Sequence, residues 1–167
     1  RAAELSAAEG KPPAANAEPL ALLLLLRDCV DSKADWSLVL DYICKLPDRF
    51  ANEPEVQENR AFALAQVGNP TDAIAEIQTL IDFAGPTPER LGLMGGRYKR
   101  LADDASDEDD RRQRRDQAID CYERGMRLDF NAYYCSSNLP RLYRARAEKG
   151  DEDLAQDTVR FAIAACE

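Results

Sequence analysis

The chain has 167 residues, with 22 Lys and Arg against 31 Asp and Glu for a formal net charge of −9, and it contains no histidine. That length suits one domain with a sizeable core and is short for two large ones. Without histidine the chain lacks the commonest general base, the commonest zinc ligand and every Ser-His or Cys-His nucleophile pair, and its acidity disfavours broad binding to nucleic acid or an anionic membrane.

In chain order, residues 1–18 are rich in Ala and Pro and read as a disordered or linker-like segment. The apolar run from Leu20 to Leu26 is seven residues long, against roughly twenty for a membrane span, and no basic residues directly precede it. A soluble, cytoplasmic segment is expected. The chain lacks an initiator Met and its helical pattern runs to Glu167, which suggests a piece of a longer protein. From Pro19 onward the periodicity is helical. Trp36, Val39, Leu40 and Ile43 make one apolar face over Asp35 to Leu46, which Pro47 ends. Breakers recur at Pro54, Gly68-Asn69-Pro70, Gly85-Pro86, Pro88, Asn131 and Gly150, intervals that suit antiparallel helix pairs, and no alternating strand pattern of useful length appears.

A repeat organises these helices. Tetratricopeptide units run to about 34 residues, with a large apolar residue, Leu-Gly and Tyr on the first helix and A-x3-F on the second. Leu91-x2-Met94-Gly95-x2-Tyr98 with Ala118-x3-Tyr122 is one such unit. Ala61-x2-Leu64, Gly68 and Ala73-x3-Ile77 form another; Leu139-x2-Leu142-Tyr143, Gly150 and Ala155-x3-Val159 form a third. Ala73 and Ala118 are 45 residues apart, and Ala118 and Ala155 are 37 apart. The larger surplus falls in a charged insertion at 103–115, where six acids precede four arginines; the smaller falls near Tyr133-Tyr134-Cys135, read as lying between helices. In the insertion, Ser106 is expected to cap a helix whose Asp107–Arg111, Glu108–Arg112 and Asp110–Arg114 pairs support it, lengthening that helix by about two turns. Gly95 and Ala61, Ala73, Ala118 and Ala155 should let axes approach, with Tyr98, Tyr122, Ile77 and Val159 filling the adjoining space. The expected fold is all-α: four hairpins, eight helices, over about 19–47, 54–85, 88–130 and 136–167, stacked as a right-handed tetratricopeptide-like superhelix, the first hairpin degenerate.

Candidate chemistry is sparse. Gly92-Leu93-Met94-Gly95-Gly96-Arg97 is glycine-rich but lacks the phosphate-loop pattern, and the acidic run lacks calcium-loop spacing. Cys29, Cys44, Cys121, Cys135 and Cys166 form no C-x-x-C pair and read as buried free thiols. No catalytic constellation, metal site or cofactor site is expected. Basic residues do cluster on two first helices: Arg97, Lys99 and Arg100 on one, Arg141, Arg144 and Arg146 on the next. First helices line the inner wall of such a solenoid, so these clusters are expected to make a positive patch for an acidic peptide or a phosphate group. The bland alternative has them lie over apolar surface or pair with Glu89, Glu148 and Asp151. Phe62, Gln66, Arg97, Lys99, Arg100, Arg141 and Arg144 are the candidate groove residues. The carboxylate clamp of chaperone receptors is not matched, since its places hold Glu58, Phe62 and Leu93, with only Arg141 of the required kind.

Asp35-Trp36, Leu46-Pro47, the Gly68-to-Ala73 turn, Leu91 to Arg100, and Asn131, Tyr133-Tyr134 and Asn138-Leu139-Pro140 resemble the TRAF-binding-type tetratricopeptide domain of apoptosis-signal-regulating kinases and related bacterial multidomain proteins. The resemblance covers about Pro19 to Glu167. It implies a non-catalytic interaction or regulatory module beside an effector domain, binding a protein or peptide or another domain of the same polypeptide. TRAF binding itself is not carried over. The alternative is a sensor in which the Arg, Lys and Tyr cluster holds a small anion such as a nucleotide. An apolar end face on a terminal hairpin would also allow self-association. The heavy use of Ala, Arg and Asp has a bacterial cast.

Overall fold

The computed structural model describes residues 35–131 and 133–164, together with Ala21 and Leu25, both helical. The expectations for residues 1–18, for most of the first helix after Pro19, and for Cys29 and Cys166 lie outside the described residues. Eight helices are described, packed pairwise as in a tetratricopeptide-like array. The chain divides into two compact units, one ending at Gly68 and the other beginning at Asn69.

The first unit holds α1 (Ser37–Ile43), α2 (Asp48–Ala51) and α3 (Pro54–Gln66). The expected apolar face is there: Val39 and Ile43 are buried with Val56 and Ala63 of α3, and Trp36, Leu40, Tyr42, Leu46 and Leu25 pack around them. Pro47 does end the pattern, but the chain resumes at once in the single turn of α2, which the breaker spacing had left as a connection. Proline lacks an N–H and presets its own φ, so it stops one helix and can stand at the entrance of the next.

The second unit holds α4 (Pro70–Ala84), α5 (Pro88–Asp104), α6 (Glu108–Leu128), α7 (Tyr133–Arg146) and α8 (Asp151–Ala164), each packed on its successor. Pro70 and Pro88 occupy first helical positions, and the Thr87 hydroxyl accepts from the Arg90 N–H at 3.2 Å. Glycines with positive φ, Gly85 at 83° and Gly150 at 94°, follow α4 and precede α8, a conformation that side chains bearing Cβ resist. The core gathers Ala118, Ile119, Tyr122 and Met126 of α6 with Cys135, Leu139, Leu142 and Tyr143 of α7 and Ala155 of α8, while Tyr98 packs against its edge. Of the space-filling residues expected from the repeat, Tyr122 and Ile77 are fully buried. Val159 is exposed on the outer side of α8, next to Phe161 and Ile163.

The charged insertion becomes helix, as expected, and makes α6 a helix of 21 residues. Its details differ. Asp107, not Ser106, is the cap, its carboxylate accepting from the Asp110 N–H at 2.9 Å. Asp110–Arg114 forms at 3.1 Å, but Arg111 takes Glu108 one residue nearer and Arg112 crosses to Glu148 at 2.8 Å. A cap at Asp107 moves the helix start forward by one residue, leaving Asp107 engaged with the backbone. Tyr133, Tyr134 and Cys135 lie in the first turn of α7 and not between helices, and Pro140 sits inside that helix. The free cysteines Cys121 and Cys135 are buried, whereas Cys44, just past the end of α1, is exposed.

Candidate functional site

The site begins with three glycines. A methyl group added at Gly92 would lie 2.9 Å from Cδ1 of Tyr134, and one at Gly95 would lie 3.1 Å from the ring of Tyr122. Bare backbone at these positions lets tyrosines from α6 and α7 press directly onto α5, with their rings edge-on at 6.1 Å. The two hydroxyls emerge near Gly96, where an added methyl would stand 3.5 Å from each oxygen. Tyr122 is fully buried, and its hydroxyl stands beside Tyr134. Burial, with Tyr134 next to it, pushes this phenol far above its ordinary pKa. It stays neutral, a donor.

Around these hydroxyls stand cations. Arg97 follows Gly96 and is half-buried, its Nε donating to the Leu93 carbonyl at 3.4 Å. Burial lowers its pKa, Tyr134 and Tyr122 oppose that, and Arg100 adds a like charge. Lys99 donates from Nζ to Oδ1 of Asn138 on α7 at 2.7 Å, and the Asn138 amide in turn donates to the Tyr134 carbonyl at 2.8 Å. Burial pulls the Lys99 pKa down and the charges of Arg141 and Arg97 pull it further, with Asp103 the one opposing influence. Arg141, exposed one turn beyond Asn138, has no carboxylate within ion-pair distance among the described residues. Lys99 therefore spends its best hydrogen bond on a neutral amide while sharing its surroundings with two like charges.

Among the candidate residues, the structure brings Arg97, Lys99 and Arg141 into one cluster across α5 and α7. Arg100 turns to Asp104 at 3.8 Å, and Arg144 is held by both oxygens of Glu152, at 3.1 and 3.2 Å. Phe62 and Gln66 belong to the first unit: Phe62 packs edge-on against Trp36 at 5.3 Å, and Gln66 is exposed at the end of α3. The weighed pairing with Glu148 and Asp151 does occur for Arg146 of the second basic cluster, and Arg112 of the insertion joins it at Glu148. Sequence reasoning missed Asn138 and Tyr122 as members of the cluster. The available signal was the doubled glycine at 95 and 96, one more than helix contact with Tyr122 requires.

Residues 35–143 match the model of the Tetratricopeptide Repeats-Sensor family. The chain belongs to this family. The matched span takes in α1 through α6 and most of α7, so it contains every member of the Arg97, Lys99 and Arg141 cluster and stops before Arg144. No curated protein matches the chain by sequence. Among the described residues of this Tetratricopeptide Repeats-Sensor chain, no grouping of His, Cys, Asp and Glu could hold a metal ion, and no helix is long and apolar enough to cross a membrane.

Proposed function

We infer that the chain is a non-catalytic recognition and regulatory module whose α5–α7 face receives an acidic segment of a protein partner or of a neighbouring domain. The observation that carries this reading is the crowding of Lys99 with Arg141 and Arg97, where a neutral amide stands in the place a carboxylate would take. Such a cluster costs stability through like-charge repulsion, and an incoming anion relieves it through charge-assisted hydrogen bonds. The resemblance to kinase regulatory domains supports a module that adjoins an effector domain. Buried free thiols at Cys121 and Cys135 suit a reducing compartment such as the cytoplasm.

A second reading, in which the occupant is a small anion such as a nucleotide, is favoured by the gathering of the Tyr122 and Tyr134 hydroxyls beside Gly96, next to the cationic cluster. One experiment addresses both. A labelled Asp- and Glu-rich peptide and a panel of pyrophosphate and nucleotides are titrated against the wild type, against Lys99→Glu with Arg141→Glu, and against Arg144→Gln as control. Peptide binding that the double reversal abolishes and Arg144→Gln preserves is expected, falling as salt rises. A thermal shift with the small anions alone selects the second reading. Equal binding by wild type and double variant removes both.

A further inference from the structure

A cavity of about 470 Å3 opens beside the cationic cluster, between the N-terminal ends of α5 and α7. Its walls are apolar and aromatic: Pro88, Leu93, Tyr133 and Tyr134, with Cys135 behind them. Tyr133 and Tyr134 keep 58% and 45% of their surface in solvent, Tyr134 while one side of its ring rests on Gly92. Glu89 and Asp129 also border the cavity. No cation among the described residues pairs with either carboxylate, and the basic residues nearest in sequence are directed elsewhere: Arg90 donates to the carbonyls of Ala84 and Gly85, and Arg127 pairs with Glu123. Among the described residues only one oxygen of Asp129 is used, accepting from the Asn131 N–H at 2.8 Å. The charge of Glu89 reaches the cavity wall, where it adds to burial in raising the Cys135 thiol to about 11.

We propose that this cavity binds the side chain of a lysine or arginine presented by a peptide, the aliphatic stem lying on Leu93 and Pro88 and the charged end meeting Glu89, Asp129 and the faces of Tyr133 and Tyr134. The chemistry is complementary at each part. A long aliphatic stem fills apolar space that a compact polar group would leave, two carboxylates neutralise the head, and exposed phenol faces attract it further. The inference goes beyond the acidic-segment reading and uses none of its three cations. Taken together, the two places describe a partner with a basic residue close to acidic ones.

The test titrates the full chain with Nα-acetyl-lysine methylamide, Nα-acetyl-arginine methylamide and the neutral isostere Nα-acetyl-norleucine methylamide, read by backbone amide shifts in two-dimensional NMR. Shifts centred on Leu93, Tyr133, Tyr134 and Cys135 are expected, with the basic probes bound about fivefold more tightly than norleucine. Glu89→Gln with Asp129→Asn should erase that preference, and Lys99→Glu with Arg141→Glu should leave it intact, so this site and the anion-binding face fail independently. Glu89 also complements the N-terminal dipole of α5, which is why the readout is probe preference within each folded variant and not stability. Norleucine binding as tightly as lysine, preference surviving the double neutralisation, or shifts absent from the cavity residues would each overturn the proposal.

Discussion

The α5–α6 pair and the turn between α7 and α8 join neighbouring helices by different means. Between α5 and α6 the contact is one of volume. Gly95 faces the Tyr122 ring, and a methyl added at Gly125 of α6 would stand 3.4 Å from Cβ of Leu91 on α5. At the α7–α8 turn the contact is one of charge. Arg146 forks onto Asp151 at 2.6 and 3.0 Å, approaches Glu148 at 3.7 Å and Asp116 at 3.9 Å, and Asp151 also accepts the Glu148 N–H at 2.8 Å. Shape complementarity is indifferent to pH and salt, and charge complementarity is not. Substitution and titration should therefore separate the two regions.

The largest effect is expected from Tyr122→Ala, which empties a fully buried position at the junction of α5, α6 and α7. A loss of about 3–5 kcal/mol in a denaturant titration is expected, while Tyr122→Phe, which removes only the hydroxyl and keeps the ring, should shift the midpoint far less. Asp151→Asn should cost about 1.5–3 kcal/mol, as a nearly buried carboxylate that the Arg146 fork holds below its ordinary pKa is lost. Because the native pKa is depressed, this contribution is full above the ordinary carboxylate range and disappears as pH falls through the lower native value. Acid melts of the wild type and Asp151→Asn should converge there; parallel curves would place the stabilisation elsewhere.

Two glycine substitutions sharpen the volume side. Gly125→Ala should destabilise by about 1–3 kcal/mol through overpacking against Cys135. Gly96→Ala, whose new methyl meets only ordinary contacts at 3.5 Å, should stabilise α5 by up to about 1 kcal/mol while filling the space beside the two hydroxyls. A thermal melt on each variant checks the opposite signs. Smallest of all is Arg112→Ala, which removes the exposed ion pair with Glu148 that ties the insertion to the α7–α8 turn. Its effect on the melting temperature should be slight at low salt and vanish at high salt.

Much of the array was legible before any coordinates. Ala61, Ala73, Ala118 and Ala155 repeat at tetratricopeptide positions, and all are buried. The insertion's composition announced a solvated helix, since acids ahead of arginines at helical spacing satisfy both the dipole and each other. Finer choices were not legible. Asp107 and Ser106 are both good caps, and only the path of the chain out of α5 selected between them. Val159 looked like core because the repeat places an apolar residue there, yet on α8 it stays 37% exposed. The partner of Arg112 lies 36 residues away, where no local spacing rule applies.

The order of residues by itself determined the helices, their breaks and the repeat, because periodicity, proline and glycine act over a few neighbouring positions. Tertiary structure alone decided which of the cations share a face. Arg100 found a carboxylate one turn away and Arg144 found one across the α7–α8 turn, while Lys99 reached from α5 to Asn138 of α7, close to the charge of Arg141. The physical reason is that charge acts through distance in space, and that distance is set only when Gly92, Gly95 and Gly96 let the tyrosines of two other helices close onto one.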